Sequence, residues 1–305
     1  MLTSDLELFV HVAEAGSISA AALELDLTPA TASAAIKRLE KQLGTPLFIR
    51  TTRSLRLSSA GERYLLHCRE ALAALEHGRM ALASAKGTVE GSLRISVSSD
   101  FGRNIFLPWL DDLMEQHPGL EVQLALGDRI NSLFRDNIDV ALRYGKPTDP
   151  EAVAFLIGRM WRQLAASPEY IAARGAPETP DAVAAHQCLL YKRAERTHDQ
   201  WSFFRGGDVK QIRVSGRRSS NDAEIARRWA VAGKGLVYKS RLDLASDLIA
   251  GRLQPLLKDW QGEPLELYLL CPGRSQVTPA VLALRDMLKD KVAERLAALD
   301  EALQL

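Results

Sequence analysis

The chain has 305 residues, 47% hydrophobic and 25% charged, which makes room for about two domains of roughly 100–200 residues each and excludes disordered and fibrous classes. Its 3 cysteines, Cys68, Cys188 and Cys271, lie far apart and do not form a disulfide framework, so a reducing compartment fits. The net charge of +1 is uninformative as a total, no apolar run approaches the ~18–20 residues of a membrane span, and the start MLTSDLELFV has no basic n-region, so the expected place is the cytoplasm, away from membranes.

Three short helices are predicted first. Leu6, Phe9, Val12 and Ala13 recur at helical spacing until Gly16. Ser17 can cap a second helix from Ile18 to about Leu25, with Ala21, Ala22 and Leu25 as its packing face. Thr28 caps the third, Pro29 takes its first position, and Gly44 ends it after Leu43. On this helix Ala32, Ala35, Ile36, Leu39 and Leu43 share one face. Ala30, Ala34, Lys37 and Lys41 lie opposite, flanked by Thr31, Ser33 and Arg38. Small residues at the amino end allow close approach and the cations further along can reach phosphates, as on a recognition helix in a major groove. Periodicity alone fits a plain surface helix better. Leu47-Phe48-Ile49 and Leu55-Arg56-Leu57 then flank a basic turn, a hairpin whose Arg50, Arg53 and Arg56 suit a wing gripping phosphates or a narrow minor groove. Charge changes sign across this region: residues 1–27 hold five acids and no Lys or Arg, and residues 28–58 hold six cations against Glu40. One face is therefore basic, whether for a polyanion or as an idle dipolar surface.

At this point the sequence resembles a known family. Leu6, Phe9, Val12, Gly16-Ser17, Ala20-Ala21, Leu23, Thr28-Pro29-Ala30, Ser33, Ile36, Leu39-Glu40, Leu43-Gly44, Leu47-Phe48, Arg50, Arg53, Leu57-Ser58 and Gly61 are similar to the amino-terminal signature of LysR-type transcriptional regulators. The DNA contacts this points to are Thr28, Pro29, Ala30, Thr31, Ser33, Ala34, Lys37 and Arg38, with Arg50, Arg53 and Arg56 in the wing. Ala34 and Ala35 depart from the family, whose members often carry a long basic or amide side chain there, so base readout shifts toward Thr28, Pro29, Thr31, Ser33 and Lys37.

Ser59-Ala60-Gly61-Glu62 has capping-box spacing and opens a helix running to about Lys86. Leu65, Cys68, Leu72, Leu75 and Leu82 form an apolar seam interrupted by Arg79, which needs a partner, either a second copy or the neighbouring domain. The resemblance favours a homodimer through this helix. Gly87 to Gly91 reads as a hinge.

From Gly91 onward strands alternate with helices: a strand at Leu93–Val97, a helix from Phe101 to about Gln116, a strand at Leu120–Leu126, a helix near Ile130–Asp136 and a strand at Asp139–Leu142. The rhythm implies an α/β lobe with a largely parallel sheet, and similar texture recurs at Cys188–Tyr191, Val209–Val214, Leu236–Tyr238 and Leu265–Leu270. The resemblance extends here through Ser98-Ser99-Asp100-Phe101-Gly102, Gly127-Asp128-Arg129-Ile130, Asp139 to Gly145, Ala166 to Tyr170 and Gly233-Lys234-Gly235-Leu236, which are similar to those of a subgroup governing small-molecule catabolism or efflux genes. It implies a multidomain α+β chain: a winged helix-turn-helix at 1–58, a linker helix at 59–88, and a two-lobed α/β effector domain at 91–305 like periplasmic binding proteins. Lobe I would cover about 91–162 and 264–305, lobe II about 163–263.

Ligands of open α/β sheets sit beyond strand carboxyl ends, near helix amino termini. Ser98 and Ser99 occupy such a junction and can hold an anion, most simply a carboxylate, unless Asp100 caps the helix and takes the same donors. Arg143 either reaches the cleft or makes a structural ion pair, and Asn221 either faces the cleft or serves a turn. Residues 188–241 hold thirteen Lys and Arg against five Asp and Glu, which fits an anionic effector, a basic surface near DNA, or simply solvated helix faces.

An enzyme is the main rival. No Gly-x-Ser-x-Gly, His-Glu-x-x-His or Walker loop occurs, and Gly145-Lys146 leads into Pro147. His186-Gln187-Cys188 and His67-Cys68 each lack further zinc ligands, so no catalytic residue, metal or cofactor is expected. A small-molecule-binding or enzymatic α/β protein with an accessory winged-helix domain is the alternative. A secreted receptor would need a signal peptide, and a nucleoid protein would have no effector module. The expected partners are double-stranded DNA, as an imperfect inverted repeat if the protein is a two-fold dimer, and a small-molecule effector. Pairing of dimers into a tetramer and a consequence for RNA polymerase are implied by the family alone.

Overall fold

A computed structural model describes residues 2–50, 55–84, 89–127, 138–147, 149–193 and 196–304, with the side chains of residues 50, 76, 77, 79–84, 193 and 196 outside the description. The chain divides into two compact units, Met1–Leu82 and Ala83–Leu305.

The first unit holds α1 (Thr3–Ala15), α2 (Ile18–Glu24) and α3 (Pro29–Leu43), then β1 (Phe48–Arg50) paired antiparallel with β2 (Leu55–Leu57), and α4 (Ser59–Ser84). Gly16 and Gly44 end α1 and α3 at φ +62° and +65°, where a side chain would be strained. Ser17 and Thr28 cap α2 and α3, accepting the Ala20 and Thr31 N–H groups at 3.3 and 3.2 Å. Phe9, Val12, Ala21, Ala22, Ile36, Leu39, Leu47 and Phe48 form the core, and the Phe9 ring meets Phe48 at 5.4 Å. The Ser59–Glu62 capping box is not used. Ser58 caps α4 instead, accepting the Gly61 N–H at 3.0 Å, because its own N–H and hydroxyl are fixed by the Leu47 and Pro46 carbonyls. Gly61 permits that approach: a Cβ there would lie 2.1 Å from the Leu47 carbonyl oxygen.

The second unit opens with β3 (Gly91–Val97), α5 (Ser99–Phe101), a π turn at Gly102–Phe106 and α6 (Leu107–Gln116). The single helix predicted from Phe101 is thus interrupted, because Pro108 has no N–H for the carbonyl four residues back and the ring widens there. β4 (Leu120–Leu126) and β5 (Val140–Tyr144) run parallel to β3; the helix expected near 130–136 lies outside the described residues. Next come β6 (Val153–Ala166), α7 (Pro168–Arg174), β7 (Leu189–Arg193), β8 (Arg196–Thr197), β9 (Gln200–Arg205), β10 (Asp208–Arg213), β11 (Arg218–Ser220), α8 (Ala223–Val231), β12 (Val237–Ser240) and α9 (Arg241–Ile249). The chain ends with β13 (Gln254–Pro255), β14 (Gln261–Gly262), β15 (Pro264–Cys271) and α10 (Pro279–Leu303).

The main sheet has the order β12-β6-β15-β5-β3-β4, with β13 also on β6. It is mixed rather than largely parallel: β15 lies antiparallel to both β5 and β6, since it returns from the other lobe with no helical crossover to reverse it. β6 spans both lobes. Val153–Trp161 pairs with β15, and Arg162–Ala166 with β12 and β13. The chain crosses back at Gly262-Glu263, beside the first crossing: the Arg162 N–H donates to the Glu263 carbonyl at 2.9 Å, and a Cβ on Gly262 would lie 1.9 Å from the Arg162 carbonyl oxygen. One core packs Phe101, Phe106, Trp109, Leu142, Leu267, Leu284 and Leu288 between sheet and helices; another gathers Cys188, Trp201, Phe203 and Tyr238 in the second lobe.

Candidate nucleic-acid interface and effector junction

In α3, Ala32, Ala35, Ile36 and Leu39 are buried while Thr28, Pro29, Ala30, Thr31, Ala34, Lys37 and Arg38 are exposed and Ser33 is half-buried. The amino end therefore presents small residues to solvent, and Lys37 follows one turn along. Thr28 is bound to its own helix, its hydroxyl 2.8 Å from that of Thr31. Arg38 has a partner within the fold: its Nε and Nη2 both donate to Asp5, a carboxylate 3% exposed in α1, so this half-exposed guanidinium also braces α1 against α3. Glu40 is also structural, accepting the Leu47 and Phe48 N–H groups at 2.8 and 3.2 Å to fix the start of the wing. Arg56 is exposed opposite Ile49; the Arg50 side chain and all of Arg53 lie outside the described residues.

The expected seam of α4 divides in two. Cys68 is 2% exposed within its own unit, and Leu65 and Leu72 pack against the same core. Cys68 is thus corrected from a dimer contact to an internal one, its burial also pushing the thiol pKa up. Leu75 on the same stripe is 59% exposed, and the Leu82 side chain lies outside the description.

At the carboxyl end of β3, Ser98 is the N-cap residue of α5 and makes no side-chain cap. Ser99 is 3% exposed and donates its hydroxyl to Asp222 Oδ1 at 2.8 Å. Arg103 donates through Nη1 to Asp222 Oδ2 at 3.1 Å and to Glu224 Oε2 at 2.9 Å. Burial pushes the Asp222 carboxyl up, but the Ser99, Glu224 N–H and Arg103 bonds outweigh it and hold it below its ordinary range. Asp222 is also the cap of α8. Asn221, the residue singled out from sequence, is exposed beside it.

Asp100 does not cap α5. It lies inside the first turn, where its Oδ1 meets Arg227 Nε at 3.0 Å and Asn104 Nδ2 at 2.9 Å, and its Oδ2 meets Lys239 Nζ at 3.0 Å. Lys239, 2% exposed, also reaches Asp243 at 3.2 Å, which accepts the Tyr144 hydroxyl at 2.6 Å. Burial alone would lower the Lys239 pKa; the Asp100 and Asp243 carboxylates outweigh it and hold the ammonium above the ordinary lysine range. Arg143 donates to Ser96 Oγ at 2.5 Å and to the Leu142 carbonyl at 2.9 Å, bracing β5 against β3.

So the structure brings Ser99 and Arg103 to Asp222, the residue after Asn221, and joins Asp100, next to Ser99, to Arg227 and Lys239; of these, only Ser99 was expected from sequence to meet an effector. Two signals were available: Asp222 directly precedes a helical pattern, and Lys239 follows the apolar run Leu236–Tyr238. Among the described residues no cluster of three or more His, Cys, Asp or Glu could hold a metal, and no helix is long and apolar enough to cross a membrane.

Residues 3–62 match the bacterial regulatory helix-turn-helix family of the lysR type, and residues 86–293 match the LysR substrate binding domain. The HTH-type transcriptional activator TtdR of Escherichia coli K12 is 34% identical over 259 residues, covering 85% of this chain and 84% of that protein. The HTH-type transcriptional regulator DmlR of the same organism is 30% identical over 293 residues, covering 96% and 95%. Among solved structures, full-length AphB, a virulence activator of Vibrio cholerae, has a TM-score of 0.58 at 26% identity over 94% of this chain and 98% of that one. CrgA of Neisseria meningitidis has a TM-score of 0.59 at 26% identity over 97% and 99%.

Proposed function

The chain belongs to the LysR-type transcriptional regulators, DNA-binding and effector-binding proteins rather than enzymes, and from that premise we propose how its two units divide the work. α3 enters the major groove with Pro29, Ala30, Thr31, Ser33 and Ala34, anchored by Thr28, with Lys37 reaching a phosphate at the groove edge, while the wing with Arg50, Arg53 and Arg56 lies on the phosphates. The observation that carries this reading is the exposed row at the amino end of α3, whose opposite face is buried from Ala32 to Leu39. Two copies join along the part of α4 beyond Leu72, where Leu75 stands open, and their two-fold axis pairs two half-sites of an inverted repeat. The work is done in the cytoplasm. Dimers pair into tetramers, and a change in how they pack alters access for RNA polymerase. The domain limits are 1–58, 59–88 and 91–305, with lobes meeting at the two crossings.

The effector is a small anion, such as a carboxylate, that enters at Ser98 and Ser99 and displaces Asp222 from the Ser99 hydroxyl and Arg103. The bonds from Ser99 and Arg103 to Asp222 support this, because in them these donors already donate to a carboxylate. Arg143 and Asn221 hold the neighbouring edges.

The test is fluorescence anisotropy with the DNA upstream of the protein's own gene. Lys37→Ala is expected to weaken binding to all sequences alike and lower the salt slope by about one phosphate contact. An unchanged slope removes Lys37 from the interface, and no binding at low ionic strength removes α3 with it.

A further inference from the structure

Beside the two lobe crossings lies a cavity of about 330 Å³, separate from the Ser99–Asp222 junction and lined by Trp161, Phe204, Trp260, Arg205 and Lys258 among others. We propose that it is a second small-molecule site, taking a single-ring aromatic carboxylate. Its size is at the low end of ligand pockets, roughly 300–1,000 Å³, which suits one ring and not a fused or linked pair. Three aromatic side chains supply apolar and stacking surface. Charge decides the rest. Arg205 already stacks over Trp260, its Cζ 4.5 Å from the ring centroid, and the buried Arg241 stacks over Trp161 at 4.0 Å. The indoles are therefore served by the chain's own cations, and a cationic ligand would meet Arg205 and Lys258 against a single acid, Asp259. An anion meets an excess of positive charge, and Arg205 can still donate from the edge of its guanidinium.

The loop that carries Lys258 and Trp260 is held in an unusual way. Leu257 sits at φ +51° while 9% exposed, a left-handed conformation that a leucine keeps only where its surroundings dictate it, and such residues gather at ligand clamps. The Trp260 N–H closes the turn on the Leu257 carbonyl at 2.8 Å. The site also touches both crossings. Trp161 pairs with Pro264 across them, and Gln261 directly precedes the Gly262-Glu263 return. A ligand there bears on the hinge from outside the junction and biases the lobe angle independently of whatever binds at Ser99.

The experiment titrates the full chain with phenylacetate, read by tryptophan emission and by calorimetry. A saturable site is expected that persists with the same affinity in Ser99→Ala, where the junction is impaired, and is weakened at least about tenfold in the surface double variant Arg205→Ala/Lys258→Ala. Trp260→Leu is expected to abolish it, and benzyl alcohol and benzylamine to fail as ligands. Absence of saturable binding, equal binding by the Arg205/Lys258 double variant, or equal binding of benzylamine overturns the proposal. Loss of the site in Ser99→Ala also overturns it, by moving the probe to the junction. Operator binding measured alongside reports the α3 reading separately.

Discussion

The two units hold their candidate residues in opposite ways. In the first, the described residues assigned to DNA mostly stand in solvent: the amino end of α3 carries small side chains and Lys37, and Arg38 is half exposed while bound to Asp5. In the second, the groups at the proposed effector junction are already paired, Ser99 and Arg103 with Asp222, and Asp100 next to Ser99 is paired with Lys239 and Arg227. A surface that docks on a duplex can stay hydrated until it arrives, because phosphate contacts exchange counterions for cations. Buried charges have no such option and must be paired inside the fold. On the proposed reading, then, the first unit adds a partner and the second exchanges one internal partner for another.

The strongest way to break this contrast is Lys239→Met. It leaves Asp100 and Asp243 buried without their shared cation, and removing one member of a buried pair costs about 3–5 kcal/mol. All 5 tryptophans lie beyond residue 100, so their emission in a urea titration reports the second unit alone. A fall in its midpoint with operator affinity retained is expected. A cost below about 1 kcal/mol would mean that the cluster is solvated like a surface pair.

In the first unit the corresponding change is Ser33→Ala. Ser33 sits half-buried on the flank of α3, and loss of a base-edge contact costs about 1–3 kcal/mol at the base it reads. Binding curves to the operator and to random DNA should converge, whereas Lys37→Ala lowers both together. Equal losses on both DNAs for Ser33→Ala would make it a positioning contact and leave readout to its neighbours.

The same contrast explains what the sequence could disclose. The interface on α3 comes from one continuous helix, so cap, periodicity and charge sign could all be read from fifteen residues, and caps Ser17 and Thr28 and stops Gly16 and Gly44 stand where their chemistry places them. The tie of Arg38 to α1 was not legible because Asp5 is 33 residues away, and Cys68 misled because a heptad stripe looks the same whether its own domain or a second copy covers it. The junction draws Ser99 and Asp222 from 123 residues apart. Local pattern found Ser99 from its strand-to-helix position but reached only Asn221 on the other side, and nothing local pairs Asp100 with Lys239. The mixed sheet was hidden for the same reason, since the direction of β15 depends on two lobe crossings and not on its own apolar run.

Asp222→Asn sharpens the contrast at the junction. The amide can still cap α8 and accept from Ser99, but it no longer opposes an incoming anion with a negative charge. If Asp222 competes with the effector, thermal shifts given by small carboxylates should grow, with affinity rising about tenfold, or about 1.4 kcal/mol. Unchanged or smaller shifts would make Asp222 a structural cap and remove the exchange.

The smallest expected effect lies at the crossing. Glu263 is bound by His198 and by Arg162, whose Nε donates at 2.9 Å. The His198 bond is the largest influence; burial opposes it, Arg162 adds to it, and the carboxyl is held down at about 2. Because the folded value lies below the unfolded one, Glu263 contributes its full stabilisation above the ordinary carboxyl range and loses it as pH falls toward about 2. Glu263→Gln keeps an acceptor for Arg162 but cannot titrate. The variant should therefore melt lower than the wild type at neutral pH, and the gap should close on acidification. The side chain is 36% exposed, so solvent screens the pair and the gap is modest. Melting curves that stay parallel from neutral pH down to about pH 3 would show that the crossing is held by its backbone contact and by Gly262, with the charge of Glu263 incidental to it.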